Sequence, residues 1–246
     1  MTAPVRLEGG TRRGHTTLRA LSTVLIVAGA LLLIDAAVTI LWQEPVSALY
    51  ASLRQNALGD DLNRLETRRI ARVEVKALKR LQTEKRRLTF LARAERGKAD
   101  PGDPLGRIQI PKIGVNFVMV QGTDASDLRE GPGHYVNTPL PGEPGTVALA
   151  GHRTTFLAPF RDIDELKRTD PILVRMPYAD FQYSVQRTRV VDPGATWVMR
   201  KIGYDRLVLT ACHPLYSAAQ RIVVSARLVK VTPRGRASQL IATGST

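Results

Sequence analysis

The spacing of apolar positions changes twice along this chain, and each change marks a different kind of element. From Leu21 to Trp42 the sequence LSTVLIVAGALLLIDAAVTILW is almost wholly apolar, with Asp35 as its one charge. These 22 residues are enough to cross a bilayer core as a helix. The apolar region of a cleaved signal peptide is shorter, so a retained span is expected, with Trp42 at its outer interface. From Pro45 to Pro101 no proline intervenes, and Leu, Ala, Arg, Lys and Glu dominate. That predicts a helix or helical hairpin broken at Gly59-Asp60-Asp61. Its apolar residues fall in groups: Leu58, Leu62 and Leu65, then Ile70 and Val73, then Leu78 and Leu81. Steps of three or four within the groups give one helical face, but the gaps between groups let the stripe drift, as in a solvated spacer. Pro101-Gly102-Asp103-Pro104 closes this stalk.

Beyond Pro104 the pattern becomes short apolar runs broken by Gly, Pro and Asp. Strands are predicted over residues 107–110, 115–120, 146–150, 172–176, 181–191, 206–212 and 221–231, with one short helix over 160–166. Many short strands separated by turn signals predict an all-β sandwich or barrel.

Charge adds orientation. The formal net charge is +14. Residues 51–102 carry 14 Lys/Arg against 7 Asp/Glu. Nucleic acid is not the expected partner, because aromatics are only 5% and no nucleic-acid motif is present. Anionic headgroups or wall polyanions suit a basic stalk beside a membrane. Arg6, Arg12, Arg13 and Arg19 precede the apolar span, whereas only Arg54 falls within residues 43–60. The positive-inside rule then puts the N-terminus in the cytoplasm and the rest outside.

The candidate chemistry lies at three predicted strand ends. Cys212 is the only cysteine, so no internal disulfide can form. It ends the run Val208-Leu209-Thr210-Ala211-Cys212. His152 follows Val147-Ala148-Leu149-Ala150 and Gly151, and Arg221 opens Ile222-Val223-Val224. A thiol, an imidazole and a permanent cation are what acyl transfer through a thioester requires. His213 adjoins Cys212, but adjacent strand residues face opposite sides. His134 lies in a Gly-Pro-rich loop, and His15 falls on the cytoplasmic side. A lone Cys with scattered His lacks the paired spacing of a zinc site, and no cofactor is called for.

These residues resemble the sortases, membrane-anchored cysteine transpeptidases of Gram-positive bacteria. The resemblance covers roughly residues 104–231. It runs through Ile110-Pro111-Lys112-Ile113-Gly114, Gly131-Pro132-Gly133-His134-Tyr135, Pro141-Gly142-Glu143-Pro144-Gly145, Ala150-Gly151-His152-Arg153-Thr154-Thr155-Phe156 and Ala158-Pro159-Phe160, and ends on Cys212-His213-Pro214 and Arg221. The extended Gly-His-Arg segment and the Cys-His-Pro step look most like class E of actinobacteria. The resemblance implies an eight-stranded β-barrel, with Cys212 as nucleophile, His152 as general acid/base and Arg221 as the oxyanion or substrate-orienting cation. It implies secreted proteins with a C-terminal Leu-Pro-x-Thr-Gly or Leu-Ala-x-Thr-Gly signal as substrates, and a cell-wall precursor amine as acceptor. Val208 and Ala211 stand where the family usually has threonines, which bears on signal preference.

The expected organisation is a cytoplasmic tail (1–20), a membrane helix (21–42), a basic helical stalk (43–102), a catalytic barrel (103–231) and a C-terminal tail (232–246). Two alternatives are a pilin-polymerising sortase and a non-catalytic envelope binding protein that works through its stalk. Leu240-Ile241-Ala242-Thr243-Gly244 resembles a sorting signal, but no hydrophobic span follows it.

Overall fold

The computed structural model describes residues 12–42 and 45–242. Two units are distinguished, with the second beginning at Val46. The first contains helix α1 (Arg12–Trp42). Within it Thr17–Ala37 is long and apolar enough to cross a membrane, and Leu25, Ile26, Leu32 and Leu33 are all exposed. So much contiguous exposed leucine and isoleucine calls for a non-aqueous neighbour.

The second unit is built on a closed eight-stranded barrel. Its strands are β1 (Pro104–Ile110), β2 (Val115–Gln121), β3 (Gly133–His134), β4 (Thr146–Ala150), β5 (Pro171–Arg175), β6 (Ala179–Val191), β7 (Arg206–His213) and β8 (Gln220–Pro233). They close in the order β1-β2-β3-β4-β7-β8-β6-β5. Pairing is antiparallel except at β2–β3 and β4–β7. Alternation sends Leu207, Leu209 and Ala211 of β7 into the barrel with Leu149, Phe181 and Val224. The predicted helix over 160–166 is a single tight turn, Ile163–Glu165. Phe160, Ile163 and Leu166 are all buried there, so packing rather than helix length accounts for their spacing. A short helix the periodicity did not predict, α5 (Ala125–Glu130), follows β2.

Helices α2 (Pro45–Thr67), α3 (Arg72–Arg80) and α4 (Glu84–Arg96) precede the barrel and pack on it. The expected break at Gly59-Asp60-Asp61 does not occur, and α2 runs through it. Leu58 and Leu62 are buried against Val118 and Val120 of β2, which outweighs the roughly 1 kcal/mol helix cost of a glycine. Nor do these helices stand off as a solvated spacer, since Leu78, Leu88, Leu91 and Ala92 belong to the same core as the barrel strands. Polar contacts add to the attachment. The Gln55 amide donates to the Val118 carbonyl at 3.0 Å and accepts from its N–H at 2.7 Å, which satisfies β2 where β3 is too short to reach. Arg96 reaches the buried Glu143 at 2.9 Å, and Arg234 holds Glu66 through two nitrogens.

Strand β8 continues past 231 to Pro233, and helix α6 (Ser238–Ala242) folds back after it. Ala237 and Ile241 are buried in the main core. The guanidinium of the buried Arg87 donates to the carbonyls of Leu81, Leu240 and Ile241. Leu240 and Ile241 are thus packed into the fold, while Thr243 and Gly244 lie outside the described residues.

His134 is fully buried, with Nδ1 at 2.8 Å from Gln121 and Nε2 at 3.0 Å from Thr138. Burial pushes its pKa down from 6.5 to about 4, so the folded protein holds it neutral. Between these values the unfolded chain binds the extra proton, so stability falls as pH drops through that window. The loss attributable to His134 is about 3 kcal/mol. Denaturant melts at pH 7.5 and 4.5 should show this loss, and His134→Gln should flatten the dependence. An unchanged slope in that variant would contradict the assignment.

Candidate active site

Sheet register brings two of the predicted residues side by side. Cys212 of β7 pairs directly with Arg221 of β8. Directly opposed residues share a face of the sheet. That face carries Val208, packed with Ala148, Val198 and Val223 outside the barrel, and then Thr210. The Thr210 hydroxyl is 3.0 Å from the Tyr135 hydroxyl. Arg221, Thr210 and Tyr135 line one cavity of about 110 Å³, together with Val191 at the end of β6 and with Ala195, Thr196 and Val198 from the β6–β7 connection. Cys212 is a free, half-buried thiol at the end of β7. Larger grooves, of about 360 and 420 Å³, run along the helical layer and are lined by no cysteine.

The third residue follows the strand on the other side of β7. Ala150 pairs in parallel with Thr210, and the Gly151 N–H extends the ladder by donating to the Thr210 carbonyl at 3.1 Å. His152 follows directly, two residues past the end of β4 and beside the strand that carries Cys212. Position 151 requires glycine, because a Cβ there would lie 2.6 Å from the Phe160 ring. Among the described residues, Nε2 of His152 is buried without a hydrogen-bond partner. Burial, and then the Arg129 charge, hold its pKa below the usual histidine value, which favours a neutral imidazole able to accept a proton.

The competing histidines sit elsewhere. His134 is sealed inside the barrel wall, level with Leu149 on β4. His213 lies on the opposite face from Cys212, and its Nδ1 accepts from Arg153 at 3.3 Å. Arg153 is itself buried and also donates to the Arg161 carbonyl at 2.9 Å and to Asp164 at 2.7 Å. It thereby ties the segment after β4 to the end of β7. His15 is a residue of α1, in the first unit.

Sequence reasoning passed over Arg153, Arg129, Tyr135 and Phe156 as parts of this site. The Phe156 ring lies 5.3 Å from that of His152. In the sequence it stands only as the last residue of the segment 150–156, with no role attached to it. Val208 and Ala211 occupy opposite sides of β7, one in the outer cluster and one in the barrel core.

Comparison with known proteins gives a consistent picture. Residues 108–229 match the Sortase domain family. Sortase D of Bacillus subtilis is 36% identical over 118 residues, covering 48% of this chain and 58% of the relative. The chain thus spans little more than half the length of that curated relative. The structure of sortase E from Streptomyces avermitilis has 30% identity and a TM-score of 0.50, covering 55% of this chain and 93% of that one. Sortase E1 from Streptomyces coelicolor, with a tripeptide in its active site, has 28% identity and a TM-score of 0.52, covering 55% and 94%.

Proposed function

Because the chain belongs to the sortase family of cysteine transpeptidases, we propose that it cleaves a C-terminal sorting signal and transfers the protein upstream of the cut to a cell-wall amine. One observation carries this reading: Cys212 lies directly opposite Arg221 on β7 and β8, and His152 follows two residues after the end of β4, the other neighbour of β7. The tripeptide in the active site of sortase E1 adds support for a peptide segment as substrate. A signal of Leu-Ala-x-Thr-Gly or Leu-Pro-x-Thr-Gly type is the substrate class we infer. Helix α1 anchors the enzyme in the membrane, with the N-terminus cytoplasmic and the barrel outside.

The steps follow from the groups present. As the Cys212 sulfur attacks the Thr–Gly carbonyl carbon, the neutral His152 takes the thiol proton. The C–S bond forms, and the charge on the carbonyl oxygen is stabilised by Arg221. The C–N bond then breaks, and His152 passes its proton to the departing glycine amine. This leaves a thioester on Cys212. An acceptor amine attacks that carbonyl, loses a proton to His152, and expels the thiolate, which recovers the proton.

The test is mass spectrometry of the full chain in detergent with a Leu-Ala-x-Thr-Gly peptide. Cleavage after Thr, a transient adduct of the acyl fragment on Cys212, and an amide product only when an amine is added are the expected results. An intact peptide together with a Cys212 that resists alkylation until denatured would sink the reading.

A further inference from the structure

The loop that carries His152 away from β4 is held in a conformation its own residues disfavour. Phe156, Leu157 and Ala158 have φ of 51°, 61° and 40°, so three consecutive non-glycine residues are left-handed. Such residues cost about 1–2 kcal/mol each and persist only where their surroundings over-determine them. Part of the restraint is internal. The Phe160 N–H donates to the His152 carbonyl at 2.9 Å, the Ala158 N–H to Thr155 at 2.8 Å, and the Arg161 N–H to Ala158 at 2.9 Å.

The rest comes from outside the loop and converges on Phe156. Its N–H donates to the hydroxyl of the buried Ser47 at 3.4 Å. Its ring meets Tyr50 edge to face, with centroids 6.4 Å apart and planes at 77°. The Arg129 guanidinium from α5 lies 5.9 Å from the ring centre. Ser47 and Tyr50 both belong to the first turns of α2. The same ring lies 5.3 Å from that of His152, with the planes tilted by 37°.

We propose that Phe156 is a positioning residue for His152, and that the first turns of α2, through Ser47 and Tyr50, set its place. The inference rests on the transpeptidase reading for its consequence in turnover, though not for the coupling itself. Phe156 walls the imidazole, fixes its approach to Cys212 and keeps water from its buried edge. The opening of α2 is therefore a working part of the active site. Arg129 from α5 is the charged group whose field reaches His152, while Tyr50 from α2 meets Phe156 rather than the imidazole.

The experiment compares wild-type full chain in detergent with Phe156→Ala, Phe156→Tyr and Tyr50→Ala. Histidine carrying ¹³C at Cε1 lets NMR follow the His152 titration directly, independent of turnover. In Phe156→Ala its midpoint should rise toward the ordinary histidine value, and kcat should fall about tenfold or more with KM little changed. Phe156→Tyr should restore both, and Tyr50→Ala should move both in the direction of Phe156→Ala. A Phe156→Ala protein with wild-type titration and kcat, altered only in melting temperature, overturns the proposal. Should that variant fail to fold, the half-exposed Tyr50 carries the test, and an unchanged titration and kcat in Tyr50→Ala overturns it. If the wild type turns over no peptide, the transpeptidase reading fails, while the titrations still decide whether Phe156 sets the state of His152.

Discussion

A chain that begins at Asp103 is expected not to fold, although the barrel strands all lie beyond that point. Leu58, Leu62, Leu78, Leu88 and Leu91 are each at most 6% exposed. Burying a leucine contributes about 1.5–3 kcal/mol, so the five together amount to roughly the whole stability of an ordinary domain. Their removal also bares the barrel residues they cover. Glu143 would also lose its ion pairs with Arg93 and Arg96. The measurement is a thermal melt, followed by near-ultraviolet circular dichroism, of residues 46–246 against residues 103–246. The longer chain should melt cooperatively and the shorter one should show no transition. A shorter chain that melts cooperatively within a few degrees of the longer one would refute the accounting. Leu78→Ala in the longer chain gives a graded form of the same test, with an expected cost of about 2–5 kcal/mol.

That result bears on what could be read from the sequence. The barrel strands were legible because alternation is a local signal, and β7 shows it plainly: Leu207, Leu209 and Ala211 face in, while Val208 and Thr210 face out. β3 was not legible, because Gly133–His134 is too short to have a period. The helices before the barrel were legible as helices, but their packing was not. The surface that accepts Leu58 and Leu62 lies some sixty residues away on β2, and nothing in a narrow stripe names its partner. The same distinction holds at the site. Cys212, His152 and Arg221 stood out as chemically capable residues at strand ends, and alternation separated His213 from Cys212. The pairing of Cys212 with Arg221, and of Ala150 with Thr210 two residues before His152, depended on non-local registers. Phe156, Arg153 and Arg129 act through loop and helix contacts, where neither period nor composition marks them.

Substitution of the three strand-end residues should separate their roles. Cys212→Ala should abolish both cleavage and the acyl adduct, since no other thiol exists in the chain. His152→Ala should lower kcat by about 10²–10⁴, the usual contribution of a positioned acid/base. It should leave Cys212 open to alkylation. Arg221 is the sharper case. Its Nη1 donates to the carbonyls of Ala218 and Gln220, both at 3.0 Å, which orients the guanidinium. Among the described residues its Nε and Nη2 meet no acceptor, so they are available to an oxyanion formed on the carbonyl that Cys212 attacks. Loss of one such donor costs about 10²–10³ in kcat. Arg221→Ala should therefore reduce kcat by that factor with little change in KM. Arg221→Lys should recover only part of the loss, because an ammonium keeps the charge but not the planar fork. A fall confined to KM would instead make Arg221 a substrate-holding group. If all three variants cleaved peptide at the wild-type rate, Cys212 would be an ordinary strand residue, and the basic helical layer would become the part to study.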